Sequence, residues 1–200
     1  MKDYQMKKQI LAAAIAASSL FAAVAPNVAQ AADYKVDVAG AHASVQFKIK
    51  HLGYSWLLGR FNTFDGGFSY DAKSPNASQI NMVIDTASLD SNHAERDKHL
   101  KSDDFLDVKK FPKATFQSQS MAFTDANNGT VTGDFTLKGV TKTITFPVTK
   151  IGEGSDPWGG YRVGFTGETD LKLTDYGITT NLGPASTHVQ MTLNIEGVRQ

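Results

Sequence analysis

The sequence contains no cysteine among its 200 residues. This absence excludes disulfide bonds, nucleophilic catalysis by a thiol, haem attachment through cysteine and zinc sites built from cysteine. A domain of this length can bury enough apolar surface to be stable without disulfide cross-links. Stability must therefore come from a packed core, and any chemistry must come from other side chains.

The sequence also lacks an excess of either charge. It has 20 basic and 20 acidic residues, and its like-charged runs, such as Lys109-Lys110 and Asp103-Asp104, do not exceed pairs. Nucleic acid binding favours a basic face, and electrostatic anchoring at a membrane needs a polybasic cluster. The composition therefore predicts neither a nucleic acid partner nor a stable membrane anchor.

A long apolar run is found near the start of the chain, and no later stretch approaches the length of a membrane span. The basic pair Lys7-Lys8 precedes the apolar and small residues from Ile10 to Val24, and Ala29-Gln30-Ala31 has small residues where signal peptidase cleaves. The pattern predicts a cleaved signal peptide over residues 1–31. Its removal takes away three basic residues and one acidic residue, which leaves 17 basic and 19 acidic groups in a single domain of residues 32–200.

Apolar and polar residues alternate along much of this domain, as strands with one buried face require. The alternation is clearest over residues 45–50, 131–137, 144–149, 161–169 and 189–195. Turn residues separate these runs, among them Gly66-Gly67, Asn127-Asn128-Gly129, Lys138-Gly139 and Leu182-Gly183-Pro184. Many short strands joined by such turns predict an antiparallel all-β fold, either a sandwich or a barrel.

The apolar faces of these strands carry many large side chains. A barrel of about eight strands has an interior that side chains fill completely or that holds one small ligand. The pattern leaves both interpretations open, because large apolar residues most often form an ordinary core. The candidates for an inward face that contacts a ligand are Phe47, Phe61, Phe64, Phe68, Met82, Phe116, Phe135, Phe165 and Met191.

A charged segment, residues 92–107, interrupts the strand pattern and is predicted to be helical. Asn92 is a suitable N-cap, and Glu95 three residues later would complete a capping box. Ser102, followed by two aspartates, has the pattern of a second N-cap. The segment is therefore expected to form a helical insertion at one end of the barrel, as a lid or a plug.

Charged residues within the insertion differ in their local partners. Glu95 is spaced to pair with His99, and Asp97 with Lys101, because residues four apart are neighbours on a helix. Arg96 has no acidic residue at three or four positions on either side. It must therefore contact a tertiary partner, water or an anionic group of a ligand.

No catalytic or metal-binding pattern is present. His93-Ala94-Glu95 has the start of a zinc deaminase signature, but the paired cysteines of that signature are missing. None of the five histidines forms an i, i+4 pair on a helix, and no serine lies in a Gly-x-Ser-x-Gly motif. The sequence supports no enzymatic activity, metal or cofactor.

An aromatic stretch interrupted by glycines, residues 51–61, is a poor continuous strand. It fits a flexible rim where an apolar ligand enters, or equally a loop packed over one end of the barrel. His51 and Arg60 lie within it, and Trp158 lies in another glycine-rich turn.

Several stretches together carry a family resemblance. They include His51-Leu52-Gly53, Gly59-Arg60-Phe61, Phe64-Asp65-Gly66, Arg96-Asp97-Lys98-His99-Leu100, Asp104-Phe105-Leu106-Asp107, Phe111-Pro112-Lys113-Ala114-Thr115-Phe116, residues 133–142, Asp156-Pro157-Trp158-Gly159-Gly160 and Leu182-Gly183-Pro184-Ala185-Ser186. In order and spacing they resemble the YceI-like family of bacterial periplasmic polyisoprenoid-binding proteins, from about Asp33 to Val198. The resemblance implies an eight-stranded antiparallel, lipocalin-like barrel with a helical insertion and a long apolar tunnel.

The same resemblance implies binding of a polyisoprenoid or a similar long-chain amphiphile in the periplasm, without turnover. A carrier of fatty acids or fatty amides is an alternative, an enzyme that acts on isoprenoid lipids is less favoured, and a homodimer is left open. The nine apolar candidates would contact the lipid tail. His51, Arg60, Arg96 and Trp158 are the candidates for the headgroup or the lid.

Overall fold

Strands make up most of the protein. The computed structural model describes residues 31–200, so the predicted signal peptide lies, apart from Ala31, outside the described residues. The elements in chain order are β1 (Ala32–Val36), β2 (Ser44–His51), β3 (Ser55–Phe61), β4 (Phe64–Tyr70), β5 (Gln79–Asp85), β6 (Leu89–Asp90), α1 (Ala94–Leu100), β7 (Lys113–Phe123), β8 (Asn128–Leu137), β9 (Val140–Ser155), β10 (Tyr161–Lys172) and β11 (His188–Arg199). Short 3₁₀ helices lie at Pro75–Ala77, Thr86–Ser88, Leu173–Tyr176 and Pro184–Ser186. Within this part of the chain, no helix has the length and apolar character needed to cross a membrane.

The strands form an antiparallel sheet that closes on itself. Neighbours around the ring are, in order, β1, β4, β5, β7, β8, β9, β10 and β11, and β11 pairs with β1 to complete the circle. At the closure, Tyr34 of β1 lies opposite Arg199 of β11 on one side and Phe68 of β4 on the other. The prediction of an eight-stranded antiparallel barrel is confirmed, and the sandwich alternative is wrong.

A second row of strands extends one part of the barrel wall. β2 pairs with β11, β3 pairs with β2, and β6 pairs with β3. These three strands extend the wall formed by β1, β4 and β5. We call the end of the barrel at the β2–β3 turn, Leu52-Gly53, the upper end, and the end at the β9–β10 turn, residues 156–160, the lower end. Residues 91–112 join β6 to β7 at the upper end.

The alternating pattern of β8 shows why the predicted strands form. Val131, Phe135 and Leu137 point into the barrel and are buried. Lys138 and Gly139 then have φ angles of 49° and 76°, and Leu137 pairs with Val140 in β9. Two consecutive residues with positive φ match the twist of a two-residue hairpin. The tight turn predicted at Lys138-Gly139 is confirmed.

The helical insertion is shorter than the range of residues 92–107 that the sequence predicts. Helix α1 covers only Ala94–Leu100, and its N-cap is His93, whose Nδ1 accepts the N–H of Arg96 at 3.2 Å. Asn92 lies one residue before the cap with φ 60°, a left-handed conformation that asparagine tolerates. The predicted N-cap and its capping box with Glu95 are therefore wrong, because Arg96 occupies the third helical position.

The second N-cap predicted at Ser102 is also wrong. Ser102 Oγ donates to the carbonyl oxygen of His99 at 2.7 Å, so it closes the end of α1 and begins no new helix. The chain continues in turns, and Phe105 and Leu106 pack into the core. These two apolar residues hold the insertion against the barrel.

The predicted ion pairs within the insertion do not form among the described residues. His99 pairs with Asp104 at 3.1 Å in place of Glu95. Asp97 accepts the N–H of Ser91 at 2.8 Å in place of contacting Lys101. The segments that flank α1 supply these partners, since Ser91 precedes the helix and Asp104 follows it.

A charged cluster fastens the lower end. Arg162 of β10 donates to Asp37 and Glu196 at 2.6 Å each and to Asp156 at 2.7 Å, and His42 lies 2.9 Å from Asp37. The hydrogen bond from Arg162 holds the pKa of Asp37 well below its usual range and also lowers the pKa of Asp156. The cluster joins the segment after β1 to β10 and β11, beside the closure of the barrel.

Candidate functional site

The barrel encloses an apolar cavity of about 100 Å³, which we call the inner cavity. Its walls include Phe68, Phe116, Phe146 and Phe165. Phe165 meets the ring of Phe68 edge to face, with 5.6 Å between ring centroids. This arrangement is favourable for aromatic pairs.

A larger cavity of about 620 Å³ lies at the upper end, and we call it the outer cavity. β2 and β3 supply Phe47, Ile49, Leu57 and Phe61, the insertion supplies Leu100, Phe105 and Leu106, and the chain after β10 supplies Leu173, Ile178 and Leu182. This volume is within the range found for small-molecule sites, and a mainly apolar lining is typical of them.

The two cavities meet at four residues that line both: Ile84, Phe135, Leu171 and Met191. We call these residues the constriction. Phe135 is held by Tyr176, whose ring meets it edge to face at 5.7 Å. Met191 has an unbranched, flexible side chain that fills irregular space and can change rotamer. The two apolar cavities are thus separated by a single constriction, one of whose side chains is flexible.

Basic side chains line the outer cavity and not the inner one. They are His51, Arg96 and His99, and no lining residue of the outer cavity in the described part of the chain carries a carboxylate. Asp104, which pairs with His99, stands just outside this set. The polar part of the outer cavity therefore favours a neutral or anionic group over a cation.

Arg96 contacts one residue through two hydrogen bonds. Its Nε donates to Ser91 Oγ at 2.8 Å, and its Nη2 donates to the carbonyl oxygen of Ser91. Ser91 is buried, and its own hydroxyl donates to Asp97. Arg96 thus has the partner outside its helical neighbours that the sequence required, and it fastens the start of α1 to the chain after β6.

Three further hydrogen bonds hold the insertion over the barrel. Thr180 Oγ1 donates to the carbonyl oxygen of Asp104 at 2.6 Å, and Lys138 Nζ donates to that of Asp103 at 2.9 Å. Thr86 Oγ1 donates to the carbonyl oxygen of Phe111 at 2.7 Å. The insertion is therefore tied to the wall at several points around the outer cavity.

Eight of the nine residues predicted to contact a tail line a cavity. Phe68, Met82, Phe116 and Phe165 line the inner cavity, Phe47 and Phe61 line the outer cavity, and Phe135 and Met191 line both. Phe64 is buried in the core but lines neither cavity. A ligand in the cavities would therefore contact these eight residues, whereas Phe64 only packs in the core.

Two of the four candidates for the headgroup or the lid line a cavity, and two do not. His51 and Arg96 line the outer cavity. Arg60 points away from it and lies 3.9 Å from Asp90, while Trp158 is at the lower end, 77% exposed, with Arg162 over its ring. The geometry therefore gives Arg60 and Trp158 no access to a ligand in either cavity.

Sequence reasoning missed several lining residues. His99 adds a basic group to the rim, and Phe105 and Leu106 form part of the apolar wall. The signal for the last two was present, because they are adjacent apolar residues in an otherwise charged segment. His99 had no such signal, since α1 is distant in sequence from the strands that form the rest of the rim.

An eight-stranded antiparallel barrel with an apolar interior and a polar rim at one end is the architecture of lipocalin-like barrels. Residues 34–197 match the model of the YceI-like domain. The chain belongs to the YceI-like family.

Relatives support this assignment. The chain is 56% identical over 197 residues to a UPF0312 protein of Shewanella sp. strain ANA-3, with 98% of this chain and 100% of the relative covered. It is 53% identical over 195 residues to a UPF0312 protein of Pseudomonas aeruginosa strain LESB58, with the same coverage of 98% and 100%.

Solved structures share the fold. BcnA of Burkholderia cenocepacia superposes with a TM-score of 0.71 at 26% identity, covering 80% of this chain and 98% of BcnA. The YCEI protein of Campylobacter jejuni gives a TM-score of 0.70 at 27% identity, covering 76% and 90%. A polyisoprenoid binding domain from Saccharophagus degradans gives 0.62 at 17% identity, covering 84% and 98%, and this last likeness concerns the fold alone.

Proposed function

We propose that this protein binds a polyisoprenoid, or a similar long-chain amphiphile, and carries or stores it in the periplasm without chemical turnover. The observation that carries the proposal is that the outer cavity, the constriction and the inner cavity follow one another, so a tail that crosses the constriction would occupy one passage. It is apolar along its length and has basic side chains at one end only. A molecule with a long apolar tail and one polar end matches this division.

The tail would supply most of the binding free energy. Each methylene removed from water contributes about 0.8 kcal/mol, so a chain that fills both cavities gains far more than one that fills the outer cavity alone. The polar end would lie near His51 and Arg96, with His99 close by. These groups would orient the lipid, because hydrogen bonds and charge fix direction while the apolar walls do not.

Native mass spectrometry of protein purified without detergent, followed by lipid extraction, tests the proposal. The expected result is a stoichiometric adduct with the mass of an isoprenoid lipid that is released unchanged. Protein that is empty and also fails to bind added polyprenyl phosphate or a long-tailed quinone would contradict it. A lipid that is converted during incubation would instead favour an enzyme.

A fatty acid or fatty amide carrier is the second candidate. The constriction favours it if the Met191 side chain stays in place, since only the outer cavity is then available and a shorter chain fills it. The same experiment separates the two, because an acyl chain and an isoprenoid differ in mass and fragmentation.

Location outside the cytoplasm is part of the proposal and rests on the signal peptide pattern of residues 1–31. Fractionation of the source cells with N-terminal sequencing of the purified protein tests it. We expect the mature chain to begin at Ala32, and a full-length chain in the cytoplasm would contradict this.

A further inference from the structure

The hairpin formed by β2 and β3 has two dissimilar faces. Phe47, Ile49, Leu57 and Phe61 face inward and line the outer cavity. On the other face, Trp56 lies directly opposite Lys50, and Leu58 lies directly opposite Lys48. The hairpin is therefore a wall of the cavity on one side and a surface of the protein on the other.

The outer surface of this hairpin is unusually apolar. Within residues 31–200, seven large hydrophobic side chains are exposed, and four of them lie here: Leu52, Tyr54, Trp56 and Leu58, at 57%, 87%, 52% and 65% exposure. Single exposed apolar residues are normal, but a contiguous group marks a surface that meets another apolar phase.

Basic residues are interleaved with this apolar group. Lys48 Nζ and Lys50 Nζ lie 5.2 Å and 5.6 Å from the centre of the Trp56 ring. Neither ammonium group forms an ion pair within the part of the chain that the structure describes. On the neighbouring β6, the carboxylate of Asp90 is shared by Arg60 and Asn62. The surface is therefore apolar and cationic together.

We propose that the outer face of the β2–β3 hairpin docks on an anionic lipid bilayer, with Trp56 and Leu58 in the headgroup region and Lys48 and Lys50 on lipid phosphates. Tryptophan and tyrosine favour the membrane interface, and lysine stems extend along apolar surface while the ammonium group contacts phosphate. The proposal rests on the carrier function above. It places the opening of the outer cavity, where Lys50, His51 and Leu52 form the rim, against the phase from which a lipid enters or leaves.

A second copy of the chain fits this face less well. In a two-fold symmetric dimer the same patch meets itself, so Lys48 and Lys50 of both copies, which form no ion pair among residues 31–200, would be brought close together. Like charges brought together at an interface are unfavourable. Phospholipid headgroups supply the missing negative charge.

The two tryptophans of the chain, Trp56 and Trp158, allow a direct test. They lie at opposite ends of the barrel, so Trp158→Phe leaves a reporter at the hairpin and Trp56→Phe leaves one at the lower end. Each variant is titrated with vesicles of phosphatidylethanolamine and phosphatidylglycerol, and with phosphatidylcholine vesicles alone. We expect a blue shift and quenching by brominated lipid for Trp158→Phe with the anionic vesicles, and no response for Trp56→Phe.

Co-sedimentation with the same vesicles then separates the electrostatic and the apolar contributions to vesicle binding. Lys48→Gln with Lys50→Gln should weaken binding about fivefold per lysine removed, and raised salt should weaken it similarly. Leu58→Ser should weaken it too, while Ile151→Ser, an exposed apolar residue outside the hairpin, serves as the matched control. Absence of vesicle binding by the unaltered protein at low salt, or an equal response from Trp158, would overturn the proposal.

Two measurements distinguish bilayer docking from dimerisation and from the carrier function. A dimer in sedimentation analysis that Trp56→Ala converts to monomer would show that a second copy covers the face, and would overturn bilayer docking. Native mass spectrometry of Leu58→Ser should show bound lipid with vesicle binding lost. Vesicle binding through Trp56 by a protein that never holds a lipid would support docking and sink the carrier function.

Discussion

Arg96 and Ser91 form a two-point contact at the mouth of the outer cavity, in which the guanidinium binds both the hydroxyl and the carbonyl oxygen of the serine. The contact fixes the first turn of α1 to the end of β6. Arg96 is also part of the cavity wall. Its two roles, fastening the insertion and contacting a ligand, can be separated by changing one partner at a time.

The first prediction concerns this pair. Ser91→Ala removes the hydroxyl but keeps Arg96, and Arg96→Met removes the guanidinium. If Arg96 acts mainly as a fastener, both variants should increase hydrogen exchange of α1 and speed lipid dissociation to a similar degree. The measurement is exchange by mass spectrometry together with lipid off-rates. Loss of affinity in Arg96→Met alone, for anionic but not neutral lipids of equal tail length, would instead show headgroup binding.

The second prediction separates the two cavities. Phe165 lines only the inner cavity, whereas Met191 lies at the constriction. Phe165→Trp should weaken binding of long tails and leave short tails unaffected, because it fills the far end of the passage. Met191→Trp should have the same or a larger effect, since it narrows the entrance to that end.

Affinities for a tail-length series, with circular dichroism to confirm folding, provide the measurement. Ile151→Trp, at an exposed position, is the control for the added indole. Equal affinity for long tails in all three variants would mean that the inner cavity holds no ligand.

The third prediction concerns Gly59 of β3. It lies directly opposite Phe47, and a Cβ added at Gly59 would overlap the Phe47 ring. The Phe47 ring lines the outer cavity and must shift, so Gly59→Ala should destabilise the fold by about 1 kcal/mol, at the low end of overpacking costs, and weaken lipid binding severalfold. Gly152→Ala is the control, because nothing lies within reach of an added Cβ there. Unchanged affinity would show that the ligand does not use the space beside Phe47.

The fourth prediction is a pH dependence at the lower end. The pKa of Asp37 is lowered in the folded protein, first by its hydrogen bond with Arg162. Its contribution to stability is therefore complete above the unfolded value of about 3.9 and is lost as pH falls through the lower folded value. Asp37→Asn should lower Tm at pH 7 by roughly 3–6 °C, as expected for loss of a hydrogen bond to a charged group.

The difference in Tm between the unaltered protein and Asp37→Asn should shrink as pH falls from about 4 toward 2, because the unfolded chain then binds a proton at Asp37 while the folded protein keeps this carboxylate ionised. Asp33→Asn, an exposed carboxylate on β1, is the matched control and should show little difference at any pH. A constant difference across this range would mean that the charge of Asp37 contributes nothing to stability.

Local pattern predicted much of this molecule. Alternation over residues 131–137 and the turn at Lys138-Gly139 were visible because strand period and positive-φ turns are properties of neighbouring residues. The eight-stranded barrel followed from many such segments together with the family resemblance. Cap positions in residues 92–107 were wrong, since the competing partners Asp90, Ser91 and Asp104 lie outside the helix that was being predicted.

Residue identity alone determined that this protein has no thiol chemistry, that its strands have one apolar face, and that Arg96 needs a partner beyond its helical neighbours. Only the tertiary structure decided that Phe135 and Met191 share a constriction and that Phe64 lines neither cavity. It also decided that His51 and His99 line one cavity. The physical reason is barrel closure, which places side chains from β2, β8, α1 and β11 around one space although they are far apart in the chain.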